Sequence, residues 1–258
     1  MFRRWHSFSK GIVRAALCAC LLISVGANPG FAEEPFRSTS SSTVSPEQRA
    51  KDLFNTARAR LDLNPDSAEL GWQFARAAFD LAEFAKDNKQ REQIALQGIA
   101  VARRAVVIDP QLAPARYYLA MNLGQLARTK SLGALKLVDE MEREFKKVRE
   151  LDELFDHAGP DRNLGLLYLE APSFSVGDRK KARVHLLRSV ELAPNHPENR
   201  LNLIEAYLKW GEKRNAQAAL VELDEIWPTA QKNLVGEEWS SSWEDWAKRR
   251  SRARNRLR

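Results

Sequence analysis

His157 and Asp161 stand four residues apart, a spacing that sets an imidazole and a carboxylate on one helix face. The pair could begin a metal site, but zinc-type centres take three or four ligands and no further donor cluster stands nearby in sequence. The simpler expectation is that His157 lies in the loop entering a helix and organises its start. Asp139-Glu140 and Glu237-Glu238 are adjacent rather than stacked on one face, so these carboxylates are read as solvated. The sequence holds no Gly-rich phosphate loop, no Ser nucleophile elbow and no Cys–His pairing. These observations predict a non-enzymatic chain with no catalytic residue, no metal and no cofactor.

Trp239, Trp243 and Trp246 recur at a helical interval and place three indoles on one stripe. Such a stripe serves either as a docking ridge for a partner or membrane surface, or as a capping helix laid over the last repeat of a stack. Seven basic residues follow in 248–258, read as a solvated basic tail that anionic lipid would attract.

The elements that position these residues follow from charge and pattern. Lys+Arg 41 against Asp+Glu 34 gives +7, but Arg3, Arg4, Lys10 and Arg14 sit in the first 32 residues without an acid. The stretch 33–247 holds 30 basic and 34 acidic residues, net −4, which argues against a nucleic-acid partner. Met1–Lys10 is basic, Ala15–Ala27 is uncharged, and Gly30-Phe31-Ala32 ends on small residues. That is the layout of a signal peptide over 1–32 with cleavage after Ala32, so the expected location is periplasmic or secreted. Leu17-Cys18-Ala19-Cys20 resembles a lipobox, but Leu21-Leu22-Ile23 continue the apolar run past it, so lipid anchoring at Cys20 is the weaker alternative. Both cysteines, Cys18 and Cys20, lie in this leader, so the rest must be held by packing alone.

Residues 33–45 include the run Ser38–Thr43 and read as a Ser/Thr-rich flexible linker. Ser45-Pro46 with Gln48 marks a helix start, and from there amphipathic helical spacing runs through 46–247 without a convincing strand pattern. Leu53, Phe54, Ala57 and Leu61, then Leu70, Phe74, Ala77, Ala78 and Leu81, carry it. Pro65, Pro110, Pro194 and Pro228 are each expected to close a unit. Pro194 to Pro228 is 34 residues, the period of a tetratricopeptide repeat. Gly165, Ala182 and Ala216 fall where small residues let paired helices approach, with Tyr168 and Tyr207 filling the adjacent grooves. The fold class expected is all-α, a tetratricopeptide-like solenoid of about four helical hairpins. It has a leading capping helix at 46–62 and a trailing one near 237–250.

More narrowly, Asp156–Pro172 (DHAGPDRNLGLLYLEAP) followed by Gly177–His185 (GDRKKARVH) is similar to the TatT family, the T-component of tripartite (TRAP) transporters. The resemblance implies a periplasmic accessory subunit with a protein partner, the transporter's solute-binding protein, and an apolar or organic-acid ligand. Tetratricopeptide offsets assign the concave, partner-binding face to Gln73, Ala77 and Asp80; Tyr117, Met121 and Gln125; Arg162, Leu166 and Glu170; and Leu201 and Glu205. The alternative from another class is a structural envelope protein making peripheral membrane contact through the Trp helix and Arg tail.

Overall fold

The computed structural model describes residues 44–130 and 133–258. The expected signal peptide, Cys20 and all but the end of the Ser/Thr linker lie outside the described residues. Ten α-helices follow one another without a strand among the described residues: α1 Pro46–Leu63, α2 Ala68–Ala82, α3 Asn88–Ile108, α4 Ala113–Thr129, α5 Ala134–Leu151, α6 Phe155–Glu170, α7 Arg179–Leu192, α8 Pro197–Lys209, α9 Lys213–Asn233 and α10 Ser240–Leu257. Four antiparallel hairpins, α2–α3, α4–α5, α6–α7 and α8–α9, stack in order. Helix α1 packs on the first hairpin and α10 on the last.

Local chemistry sets the boundaries. Ser45, Ser67 and Asp87 each accept the backbone N–H three residues on, and Asp178 accepts from both Lys180 and Lys181. Each such cap contributes about 1 kcal/mol. Helix α8 closes with Gly211 at φ 77°, its N–H bonded to Leu208 and that of Glu212 to Tyr207, the left-handed stop that glycine makes without steric cost. Gly165 sits where α6 meets α7, and a β-carbon there would lie 2.7 Å from Leu186 Cγ and 3.0 Å from its backbone nitrogen. The small residue is therefore what permits the hairpin.

Two sequence expectations are corrected. Pro228 does not end a unit: α9 continues to Asn233, with Trp227 and Ala230 buried on either side of it. Packing of the following turn outweighs the lost N–H bond at the proline. The basic segment is not a loose tail beyond 247: α10 runs through it and buries Arg249 and Ala253, while Lys248, Arg252, Arg254, Arg256 and Arg258 stay exposed as expected. The start of α6 is also irregular. Asp156, His157 and Ala158 all have positive φ (52°, 55° and 62°), one left-handed turn, before right-handed helix resumes at Gly159-Pro160. Each left-handed non-glycine residue costs about 1–2 kcal/mol, so this turn persists only because its surroundings hold it.

The core is divided among the stacked layers. Trp72, Phe79, Tyr117, Tyr118, Phe145 and Leu164 belong to the largest cluster. Leu186, Leu201, Ile204, Leu223 and Trp246 form the C-terminal one. Leu166 and Leu169 touch both, so the two layers are continuous.

Candidate functional site

The inner face assigned by repeat offsets is mostly covered by the chain itself. Ala77, Asp80, Tyr117, Met121, Gln125, Arg162 and Leu201 are buried, while Gln73, Leu166, Glu170 and Glu205 are half-buried. The expectation that all of these line an open groove is therefore corrected. Offsets presume space between successive first helices. Here α2 lies directly against α4, the start of α6 folds over α4, and α10 takes the place of a further first helix on α8.

Tyr117 and Arg162 become the hub of a polar network. The Tyr117 hydroxyl donates to Asp156 Oδ2 at 2.6 Å and accepts from Asn163 Nδ2 at 2.8 Å. Arg162 Nη2 pairs with the Asp156 carboxylate, and its Nη1 donates to the Asp156 and His157 carbonyls at 3.0 and 3.3 Å and to Asn199 Oδ1 at 3.2 Å. Asn199 in turn donates to the His157 and Ser189 carbonyls at 3.0 and 2.9 Å. These bonds grip the left-handed turn and tie α4, α6, α7 and α8 together. Met121 Sδ accepts from Asn163 at 3.4 Å, placing a third expected residue in the hub.

The electrostatics follow from burial. Burial, then the Asp156 charge, pushes the Tyr117 hydroxyl well above its ordinary pKa. Burial works against the Arg162 charge but is outweighed by Asp156, Tyr117 and Glu198, so this guanidinium is raised and stays protonated. His157 stacks on His196 with centroids 4.4 Å apart, and Trp239 meets both edge-on. Burial depresses both imidazoles, His196 the more strongly, with Arg162 adding to it.

The other expected residues are dispersed. Gln73 bonds Glu69 at 2.7 Å, Asp80 faces Arg76 at 4.0 Å, and Gln125 shares Glu83 with Arg128. Glu170 pairs with Lys209 at 2.9 Å. Glu205 accepts two bonds from Arg249, at 2.9 and 3.0 Å, and Leu201 lies in the core beside it. Asp161 does not share a ligand set with His157; it holds His185 Nδ1 at 2.6 Å. Among the described residues, no group of three or more His, Cys, Asp or Glu converges as metal ligands.

The indoles of the final segment are spent on capping. Trp246 is fully buried and Trp239 nearly so, while Trp243 packs on Trp227 at 5.2 Å and donates to the Leu234 carbonyl at 2.7 Å. The docking-ridge alternative is corrected, since no indole stripe is left facing outward. The basic residues divide likewise. Arg249 is buried against Glu205, Glu198, Asp245 and Asn202. Arg250 lies over Trp227 at 4.3 Å and shares Asp224 with Arg254. Arg250 and Arg254, with Arg258, line an open cleft of about 290 Å³ between α9 and α10. Among the described residues, no helix is long and apolar enough to cross a membrane.

Sequence reasoning did not single out Asn163, Asn199, Asn202, Glu198 or Arg249. A signal existed in α8, where Glu198, Asn202 and Glu205 form a polar stripe at helical spacing and need a polar partner if covered.

A solved structure of a known protein, at a TM-score of 0.61, agrees with this architecture. A family model described as regulator of microtubule dynamics protein 1-3 matches residues 39–148, which reaches from before α1 into α5 and spans less than half of the chain. No curated protein matches the chain. Among solved structures, TTC0263, a thermophilic TPR protein of Thermus thermophilus, is 20% identical with a TM-score of 0.61, covering 80% of this chain and 91% of its own. MamA (14% identity, TM-score 0.49) covers 72% and 96%. YrrB, a TPR protein with an unusual peptide-binding site (15% identity, TM-score 0.47), covers 79% and 91%. The chain is a tetratricopeptide-like solenoid of helical hairpins.

Proposed function

We propose that this solenoid is an exported, non-enzymatic adaptor that binds a protein partner, serving as the periplasmic accessory subunit of a tripartite transporter. Its partner on this reading is the transporter's solute-binding protein. What supports the compartment is the leader, with its basic start, uncharged run and Gly30-Phe31-Ala32 end. What supports the finer assignment is the segment 156–185. Three residues that carry the resemblance to the T-component family, Asp156, Arg162 and Asn163, take part in the hub together with Tyr117 and Asn199 from outside that segment. Gly165 admits α7, and Asp178 caps it. A motif invested in shaping one face of a stack suits a surface built for a particular partner.

The test is titration of the purified chain lacking residues 1–32 against a solute-binding protein of a tripartite transporter from the same organism, by calorimetry. Saturable binding with a one-to-one endpoint is expected. Absence of heat at protein concentrations of about 100 μM, roughly the weak end of transient association, would defeat the reading. Mass spectrometry of the mature amino terminus checks the compartment independently: Glu33 is expected, and an intact Met1 or a lipidated Cys20 overturns cleavage after Ala32.

A further inference from the structure

We propose that the inner face around Tyr117 and Arg162 is a recognition site for a peptide segment in which an aromatic residue directly precedes an acid, held closed here by the chain's own Phe155-Asp156. The inference rests on the reading of the solenoid as a protein-binding scaffold and names the chemistry of what it binds.

The geometry is that of an occupied site. Tyr117 and Arg162 stand at offsets where a tetratricopeptide stack presents its groove, yet both are buried; the first two residues of α6, Phe155 and Asp156, lie on them, beside Phe145 and Asn163 at Tyr117 and Asn199 at Arg162. The Phe155 ring meets Tyr117 edge-on at 5.0 Å and Tyr118 at 6.4 Å. The Asp156 carboxylate takes the Tyr117 hydroxyl at 2.6 Å and the Arg162 guanidinium. The connection residues just before them, Asp152, Glu153 and Leu154, are exposed, so it is the start of α6 that enters the face with one ring and one carboxylate. Aromatic edges and an arginine beside a tyrosine hydroxyl are complementary to that pair of groups, whichever chain supplies it.

The cover is held at a cost. It is seated only through the left-handed turn at Asp156, His157 and Ala158. The face also keeps unspent capacity, because Arg162 Nε and Asn163 Oδ1 are buried without a hydrogen-bond partner among the described residues. An external segment with the same two groups would release the strained turn as it displaced the internal copy.

The test uses a fluorescently labelled ten-residue peptide that copies Glu150–Gly159, titrated by anisotropy against the chain lacking residues 1–32. Phe155→Ala in the protein removes the aromatic half of the internal competitor and is expected to tighten binding about tenfold or more. Ala158→Gly accommodates the left-handed turn, favours the closed form and is expected to weaken binding below wild type. Peptides with alanine at the Phe155 position, or asparagine at the Asp156 position, should lose the gain. A Phe155→Ala chain with wild-type helical circular dichroism that binds no tighter, or that binds the altered peptides equally well, overturns the proposal. Should that variant lose its helical signal, Asp156→Ala enters the same titration with the same expected gain, and no gain there overturns it. Running the solute-binding protein against wild type and Phe155→Ala separates the two ideas. Silence from both defeats the scaffold reading, whereas peptide failure alone defeats only this one.

Discussion

Replacing Arg249 with alanine is the sharpest probe of the claim that the basic end of the chain is structural. The guanidinium is 1% exposed and makes two bonds to Glu205, at 2.9 and 3.0 Å, as well as one to Asn202. The carboxylates of Glu198 and Asp245 each lie 3.7 Å from its Nη1, and Glu198 is itself buried. Burial already pushes the Glu198 carboxyl above its ordinary range, with Arg162 and Arg249 pulling it back. Removing the cation strands that acid between α8 and α10, a loss of about 3–5 kcal/mol. For a domain of this size the loss corresponds to a fall in Tm of about 6–20 °C. Because terminal elements of a stack can open alone, the loss would surface first as an early transition of α10, read through the fluorescence of Trp239, Trp243 and Trp246. Thermal and urea denaturation followed by tryptophan emission and by far-ultraviolet circular dichroism would measure both. Adding Glu198→Gln to Arg249→Ala should recover part of the loss, since the stranded charge is gone. Arg252→Ala, at an exposed position on the same helix, should stay within about 0.5 kcal/mol. An Arg249→Ala chain as stable as Arg252→Ala would refute the reasoning.

Other outcomes follow from the same structure. His157 and His196 are both held below their ordinary pKa by burial, so they stay neutral in the fold while the unfolded chain takes up protons below about pH 6.5. Stability is therefore lost as pH falls through that point. Glu198, raised by burial, works the opposite way by binding its proton earlier in the fold. The net slope expected between about pH 6.5 and 5 is on the order of 1–3 kcal/mol per unit, and a urea midpoint that holds level or rises down to pH 5.5 would contradict it. Gly165→Ala drives a methyl into Leu186 and should cost about 1–3 kcal/mol in chemical denaturation. Tyr117→Phe leaves Asp156 without its 2.6 Å donor and Asn163 without its oxygen acceptor, and a loss of about 1–3 kcal/mol is expected, greater than for Tyr207→Phe at its more open site.

Helical periodicity carries far in this chain because each hairpin is a local unit. The serine and aspartate caps, the small residues at Gly165, Ala182 and Ala216, and the prolines after α1, α3 and α7 act within a few turns of themselves. The four pairs and both flanking helices were legible for that reason. Pro228 misled because its local signal is that of a stop, while Trp227 and Ala230 gain more by packing in a continued helix than the proline loses. The inner face was half legible. Repeat offsets found Tyr117, Met121 and Arg162, which do converge, but presented them as open. They also grouped Gln73, Gln125 and Glu170 with them, though these bond locally elsewhere.

Taken alone, the order of residues determined the class of element, the count of hairpins and the small-residue contacts, since these depend on interactions within about one repeat. Tertiary structure alone decided what the inner face touches. Whether Arg162 meets a partner or Asp156, whether Trp246 meets solvent or α8, and whether Arg249 is a tail charge or a core ion depend on how tightly successive hairpins rotate upon one another. That rotation sums small contributions from every interface, and no single stretch of sequence encodes it.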